Sequence, residues 1–260
     1  MPTDLPRFLE LALTLSHRAD EISMSHFRSR KLVVERKPDR SEVTVADRAT
    51  EQMIENVLRR ELPEHGLLGE EFGTRGGSGP YRWIVDPIDG TANYVRGVPI
   101  WATLIALQYH DELVLGVVSA PALGMRWWAS RGGGAFRNGE AIGVSAVRGL
   151  ADAFVSFSDG HWTDPDARAR LGSVISECYR QRSIGDFWQH MLVAEGAIDI
   201  ACEPIVSLWD LAAVQVIVEE AGGRFTDLLG NARADGGSAL STNGALHDLV
   251  LGRLMGVSQV

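Results

Sequence analysis

The apolar period of the chain changes twice, and these changes restrict its fold more than any other feature. In the first quarter, apolar side chains return every three or four positions. Leu5, Phe8, Leu9, Ala12, Leu15, Ala19, Ile22 and Phe27 predict a helix over 5–30. Ala49, Met53, Ile54, Val57 and Leu58 predict a second from about Ala46 to Leu62, with Pro63 behind its end. The period then shortens. Tyr81–Val85, Ala102–Gln108, Leu113–Ser119 and Met125–Ser130 are β-rich runs parted by turn residues, and Asn138-Gly139 is a tight-turn signal. That stretch predicts an antiparallel meander. From about Leu150, strands (Ala153–Phe157, near Tyr179, Ile198–Cys202, Arg224–Thr226, Ala239-Leu240) alternate with helices (Pro165–Glu177, from Asp186, Leu208–Ala221, from Ala245). Such alternation lays helices on a sheet. The expected class is α+β passing into α/β. One domain is expected over 1–260, with an α+β subdomain over about 1–149 and an α/β subdomain over about 150–260.

Two stretches interrupt this grammar. Lys37 to Glu42 is polar and predicts a loop. Gly73 to Gly79 is the best flexible-loop candidate, and a candidate lid.

Against 34 Asp and Glu stand 25 Lys and Arg, a formal charge of −9. Phosphate backbones attract basic surfaces, so nucleic acid is not an expected partner. A 45% hydrophobic and 23% charged composition excludes a disordered chain. The longest uncharged run, Gly97 to His110, falls short of the roughly 18 apolar residues a membrane span needs, so no membrane partner is expected. The opening MPTDLPRFLE carries charges where a signal peptide has its apolar stretch, which predicts a cytoplasmic location. Cys178 and Cys202 have no C-x-x-C spacing and are expected as reduced thiols.

No phosphate-binding G-x-x-x-x-G-K-[ST], dinucleotide G-x-G-x-x-G or nucleophile G-x-S-x-G is present. His17, His26, His65, His110, His161, His190 and His247 are scattered and make no zinc-ligand pair; each is read as structural.

What remains is a set of acids where elements end. Glu70 and Glu71 follow Leu67-Leu68-Gly69, Asp47 opens the second helix, and Asp210 follows Leu208-Trp209. Asp86-Pro87-Ile88-Asp89-Gly90-Thr91 follows a strand and carries the most information. Asp86 at the strand end projects a carboxylate from the sheet rim. Pro87 turns the chain, which can leave the Ile88 carbonyl free for a cation. Asp89 returns to the same side, Gly90 permits close backbone approach, and Thr91 can begin a helix whose free N–H groups face an anion. Carboxylates beside phosphate-binding amides make sense only with cations between them. Oxygen-only ligands point to Mg²⁺ before Mn²⁺, and several carboxylates to more than one ion, suited to in-line phosphoryl transfer.

These segments resemble the inositol monophosphatase superfamily of Mg²⁺-dependent, lithium-sensitive phosphomonoesterases. The likeness rests on G-E-E at 69–71, D-P-I-D-G-T at 86–91, W-D-L-A-A at 209–213 and E-A-G-G at 220–223, with Lys37 and the V-T-x-A-D ending in Asp47 fitting the early segment. It implies a layered α-β-α-β-α sandwich, commonly a homodimer, acting on a small phosphate ester. It also implies that Glu70, Asp86 and the Ile88 carbonyl hold a first metal, that Asp86, Asp89 and Asp210 hold a second, and that Glu70 helps a third, weaker one. Thr91, oriented by Asp47, then positions the attacking water with Glu70, and the amides of Gly90 and Thr91 receive the phosphate. Mg²⁺ is the implied cofactor, Mn²⁺ a substitute and Li⁺ an inhibitor. One departure is Ala92, where many relatives carry Lys.

The segments D-G-T-A-N-Y-V-R-G-V-P, R-W-W-A-S-R-G-G-G-A-F, I-G-D-F and V-A-E-G-A-I-D-I-A-C-E-P resemble the histidinol-phosphate phosphatase branch. Asp186 stands where many inositol-phosphate hydrolases have a small residue, and Glu203 matches the acid that contacts an inositol hydroxyl. Two acids toward the leaving group suit an organic cation better than a polyol. The leading expectation is hydrolysis of histidinol phosphate in histidine biosynthesis. The alternatives are an inositol-1-phosphate or broad sugar phosphatase, a nucleotide 3′-phosphatase, and a regulatory binding protein with dispensable catalysis.

Overall fold

In the computed structural model, which describes residues 4–29, 32–38, 41–158, 162 and 164–256, each change of period is a change of architecture. The elements run α1 (Leu5–His26), β1 (Val34–Arg36), β2 (Glu42–Thr44), α2 (Val45–Glu61), β3 (Gly66–Gly69), β4 (Gly73–Arg75), β5 (Tyr81–Asp89), α3 (Thr91–Arg96), β6 (Ala102–Tyr109), β7 (Glu112–Ala120), β8 (Met125–Ser130), β9 (Gly134–Arg137) and β10 (Glu140–Ile142). Then come β11 (Phe154–Phe157), α4 (Pro165–Glu177), β12 (Arg180–Arg182), α5 (Asp186–Ala194), β13 (Ile200–Glu203), α6 (Leu208–Glu220), β14 (Arg224–Thr226), β15 (Ala239–Thr242) and α7 (His247–Met255).

Strands β5 to β10 form the expected meander. With β3 and β4 they make an eight-stranded sheet ordered β10-β9-β8-β7-β6-β5-β3-β4. A five-stranded mixed sheet, β12-β11-β13-β15-β14, comes from the second half. Helices α1 and α2 cover one face of the large sheet, burying Leu5, Phe8, Leu15, Ile54 and Leu58 against Trp83, Ile105 and Val117. Helices α5 and α6 fill the space behind its other face. The outer face of the small sheet packs on α4 and α7 through Leu171, Val174, Val250 and Leu254. The layers therefore read α-β-α-β-α.

Helix α6 shows why the sandwich closes. Leu211 to Val218 are buried without a polar stripe, as expected of a helix covered all round. Gly116 lets it approach: a Cβ there would lie 2.4 Å from the Ala213 carbonyl oxygen.

Three expectations need correction. The Gly73–Gly79 lid is instead an edge strand and an anchored turn. β4 pairs with β3, and the Ser78 and Gly79 N–H groups both donate to the Glu64 carbonyl. The loop at 37–42 ends a residue early, because Glu42 pairs with Arg36 in a β1–β2 hairpin; Asp39 and Arg40 lie outside the described residues. The strand from Tyr81 does not stop at Asp86 but runs through Pro87 to Asp89. Between Asp86 and Asp89 it takes three steps while β6 takes two, from Leu104 to Ala102. This bulge accommodates a residue that has no N–H to give the ladder.

Candidate metal and phosphate site

The bulge of β5 aims its two aspartates. The Ile88 N–H donates to Asp86 Oδ1 at 2.9 Å, and the Thr103 hydroxyl donates to the Pro87 carbonyl at 2.8 Å. Ile88 itself is fully buried beside Ala46, Tyr94 and Trp101. The segment is thus pinned on three sides, with Asp86 and Asp89 left at the rim. The Ile88 carbonyl is less free than expected, since it accepts the Thr91 hydroxyl at 2.9 Å. A carbonyl has two lone pairs, so one remains. Gly90 holds φ 80°, the left-handed turn that starts α3 at Thr91.

Asp47 and Asp210 reach the site by one device. Each is the third residue of its helix and forms a capping box with the residue before it. Asp47 Oδ2 accepts the Thr44 N–H at 2.8 Å, and Asp210 Oδ2 accepts the Ser207 N–H at 2.7 Å. The other Asp47 oxygen lies 3.2 Å from the Thr91 hydroxyl. Asp86, Asp89 and Asp210 each offer an oxygen, all within 4.8 Å of one another.

Glu70 stands beside that trio rather than in it. Its backbone N–H continues the β3–β5 pairing to the Val85 carbonyl, and its side chain meets Lys37 Nζ at 2.8 Å. The same ammonium reaches Glu71 at 2.6 Å. Glu51, fully buried on α2, fixes the loop by accepting the N–H groups of Glu71 and Phe72, each at 2.9 Å.

From the second half come Asp186 and Glu203. The Phe187 N–H donates to Asp89 Oδ2 at 2.8 Å, which ties the start of α5 to the end of β5. Asp186 sits at φ 51°, unusual for a residue with a side chain. Asn93 Nδ2 donates to its Oδ2 at 3.0 Å, and its N–H donates to Glu203 Oε1 at 3.2 Å.

Burial, reinforced by Glu70, Asp89 and Asp210, pushes the Asp86 carboxyl far above the ordinary carboxylate range. Asp89 is pushed the same way by burial and then by Asp186 and Asp210. Burial lifts Asp210 to about 7, with Glu70 adding to it, and raises Asp47 also. Glu71 is lifted to about 7, chiefly by burial, while burial lowers Lys37 less than its pairing with Glu70 and Glu71 raises it. A buried group of repelling carboxylates is costly unless a cation offsets it. The donors are all oxygen, the set that suits a hard divalent cation rather than zinc.

Residues 4–257 match the inositol monophosphatase family. The chain belongs to that family. Among its family relatives, the histidinol-phosphatase of Mycobacterium tuberculosis is 51% identical over 95% of this chain and 97% of its own. The histidinol-phosphatase of Streptomyces coelicolor is 46% identical over 95% of this chain and 96% of its own. The extragenic suppressor protein suhB of Bartonella henselae superposes with a TM-score of 0.89 at 30% identity, covering 95% of this chain and 98% of that one.

All ten residues expected at the site, Asp47, Glu70, Asp86, Ile88, Asp89, Gly90, Thr91, Asp186, Glu203 and Asp210, lie on segments that meet here. Sequence reasoning missed Glu51, Asn93 and His190. Two had a signal in their spacing, since Glu51 is four residues after Asp47 and His190 four after Asp186 on their helices; Asn93, two after Thr91, had none. His161 lies outside the described residues.

Proposed function

We propose that this chain is a Mg²⁺-dependent phosphomonoesterase that hydrolyses histidinol phosphate to histidinol and phosphate in histidine biosynthesis. The carrying observation is the meeting of Asp186 and Glu203 beside Asp89, which supports a reading in which two acids serve the leaving group. Histidinol presents an amine and an imidazole there, and inositol only hydroxyls. The names of the most similar relatives point the same way.

Glu70, Asp86 and the Ile88 carbonyl would hold one ion; Asp86, Asp89 and Asp210 would hold a second; Glu70 would help a third. Bound magnesium supplies a more acidic water and offsets the charge on the phosphate oxygens. The chain does the rest. The Gly90 and Thr91 amides receive the phosphate. The Thr91 hydroxyl, with its proton turned from the Ile88 carbonyl to Asp47 Oδ1, accepts a proton from the attacking water and passes its own to Asp47. Burial raises the Asp47 pKa, which suits it to receive that proton. The water oxygen bonds to phosphorus, and the P–O bond to the alcohol breaks. Lys37 holds Glu70 and Glu71 in place. Mn²⁺ substitutes for Mg²⁺, Li⁺ inhibits, and the enzyme works as a cytoplasmic homodimer of one two-part domain divided near residue 150.

Steady-state kinetics on a panel of esters at fixed Mg²⁺ test this reading. Histidinol phosphate is expected to exceed inositol 1-phosphate by tenfold or more in kcat/KM, about 1.4 kcal/mol of transition-state binding. A tenfold preference the other way would replace it with the broad inositol or sugar phosphatase. Asp186→Asn is the variant of choice, because asparagine tolerates the left-handed backbone and removes only the charge. An equal fall on both substrates would remove Asp186 from recognition.

A further inference from the structure

A fully buried histidine stands behind the substrate side of the site. His190, on α5, is 0% exposed. Its Nδ1 lies 2.8 Å from the Ser241 hydroxyl on β15, and its Nε2 lies 3.3 Å from Glu203 Oε2. The Glu203 oxygen serves as acceptor in the tautomer with the proton on Nε2, which leaves Nδ1 to accept from the Ser241 hydroxyl. The other Glu203 oxygen, Oε1, accepts the Asp186 N–H.

Serine, histidine and glutamate in a row have the form of a hydrolytic triad, but this one cannot act as such. Ser241 is 0% exposed on a strand between β13 and β14, where no substrate reaches it. The row runs instead toward the site, through Glu203 to the backbone of Asp186.

We infer that His190 is a positioning residue for leaving-group specificity: it fixes the Glu203 carboxylate, and through it the left-handed start of α5 that presents Asp186. A carboxylate has two oxygens and can rotate. With Oε1 on the Asp186 N–H and Oε2 on His190, Glu203 has one orientation, and its unused lone pairs face a fixed direction. Ser241 locks the ring from behind, and Asn93 holds the Asp186 side chain from the front. A preset pair of acids binds a cationic leaving group without first ordering side chains, and that saving appears in KM. Asp86 and Asp210 make no hydrogen bond in this row; Asp89 meets its end only through the Phe187 N–H.

The inference rests on the proposed substrate reading, and its test separates the two. Wild type, His190→Phe and His190→Gln are assayed on histidinol phosphate and on p-nitrophenyl phosphate, which has no cationic leaving group. His190→Phe is expected to raise KM for histidinol phosphate tenfold or more, with kcat, the Mg²⁺ dependence and the kinetics on p-nitrophenyl phosphate within twofold of wild type. His190→Gln, which can still donate to Glu203, is expected to recover most of the loss. In a Glu203→Gln background, His190→Phe is expected to add nothing, because the histidine acts only through that carboxylate. Equal losses on both substrates, or additive losses in the double variant, overturn the inference. So does an unchanged KM for histidinol phosphate. If His190→Phe does not fold, His190→Leu, which also cannot donate to Glu203, takes its place under the same criteria. Wild type without a preference for histidinol phosphate defeats the substrate reading alone; a crystal structure of His190→Phe then tests the positioning role, which fails if the Glu203 carboxylate and its contact with Asp186 are unchanged.

Discussion

Asn93 Nδ2 donates to Asp186 Oδ2 at 3.0 Å, joining the helix that follows the D-G-T segment to the first residue of α5. The D-G-T segment and the start of α5 are thus one hydrogen-bonded unit. Asn93→Ala removes a hydrogen bond to a charged group, an interaction of about 1.5–3 kcal/mol. KM for histidinol phosphate is expected to rise about tenfold while that for p-nitrophenyl phosphate stays near wild type. Parallel titrations of the two esters measure the difference.

Asp210→Asn is expected to abolish Mg²⁺-dependent turnover and yet raise the melting temperature of EDTA-treated protein at pH 8. Burial lifts this carboxyl from 3.8 to about 7 in the fold. A carboxyl whose folded pKa is raised holds its proton more tightly folded than unfolded, so stability falls as pH climbs from about 4 through 7. The asparagine variant escapes that loss, and the two proteins converge near pH 4. Calorimetry in EDTA at pH 4, 6 and 8 measures it, and added Mg²⁺ is expected to raise the wild-type melting temperature more than the variant's.

Gly69→Ala is expected to loosen the Glu70 loop. A Cβ at residue 69 would lie 1.9 Å from Glu51 Oε1, so the carboxylate that holds the Glu71 and Phe72 amides must move. Overpacking with loss of those bonds costs about 2–4 kcal/mol. Urea melts are expected to show it as a lower midpoint at unchanged m, and Mg²⁺ titrations of activity as a higher half-saturating concentration.

His247 gives the fold an acid-sensitive point away from the acids. It lies fully buried between the Thr226 and Thr242 hydroxyls at 3.0 and 3.1 Å. Burial, helped by Arg224, lowers its pKa from 6.5 to about 4. The unfolded chain therefore takes up this proton first as pH falls. The contribution to stability is complete above about 6.5 and is lost between 6.5 and 4. His247→Gln is expected to flatten the fall in melting temperature across that window, as read by circular dichroism.

Long periodic elements were legible from the sequence. Helix α4 begins at Pro165 and ends at Glu177 as expected, because Asp164 caps it and proline suits a first turn. The exposed three-residue strand β1 was not legible, since its partner β2 rather than its own pattern makes it a strand. The run through Pro87 was hidden because proline ordinarily ends a central strand, and only the register of β6 reveals the bulge. At the site, acids at element ends were readable as types. Their second partners were not: that Glu51 meets the Glu71 amide, or that His190 meets Glu203, depends on packing between layers.

The capping boxes of α2 and α6 have a consequence for descendants of this chain. Asp47 and Asp210 cap the starts of their helices as well as stand at the candidate site, and Asp86 and Asp89 each accept a backbone N–H. A lineage that abandoned hydrolysis would still be selected to keep an oxygen acceptor, aspartate or asparagine, at all four for folding. Among the described residues, the Glu70 carboxylate hydrogen-bonds only to Lys37, so it has the least such employment. Erosion at position 70, rather than in the aspartate motif, would be the first mark of a retired enzyme.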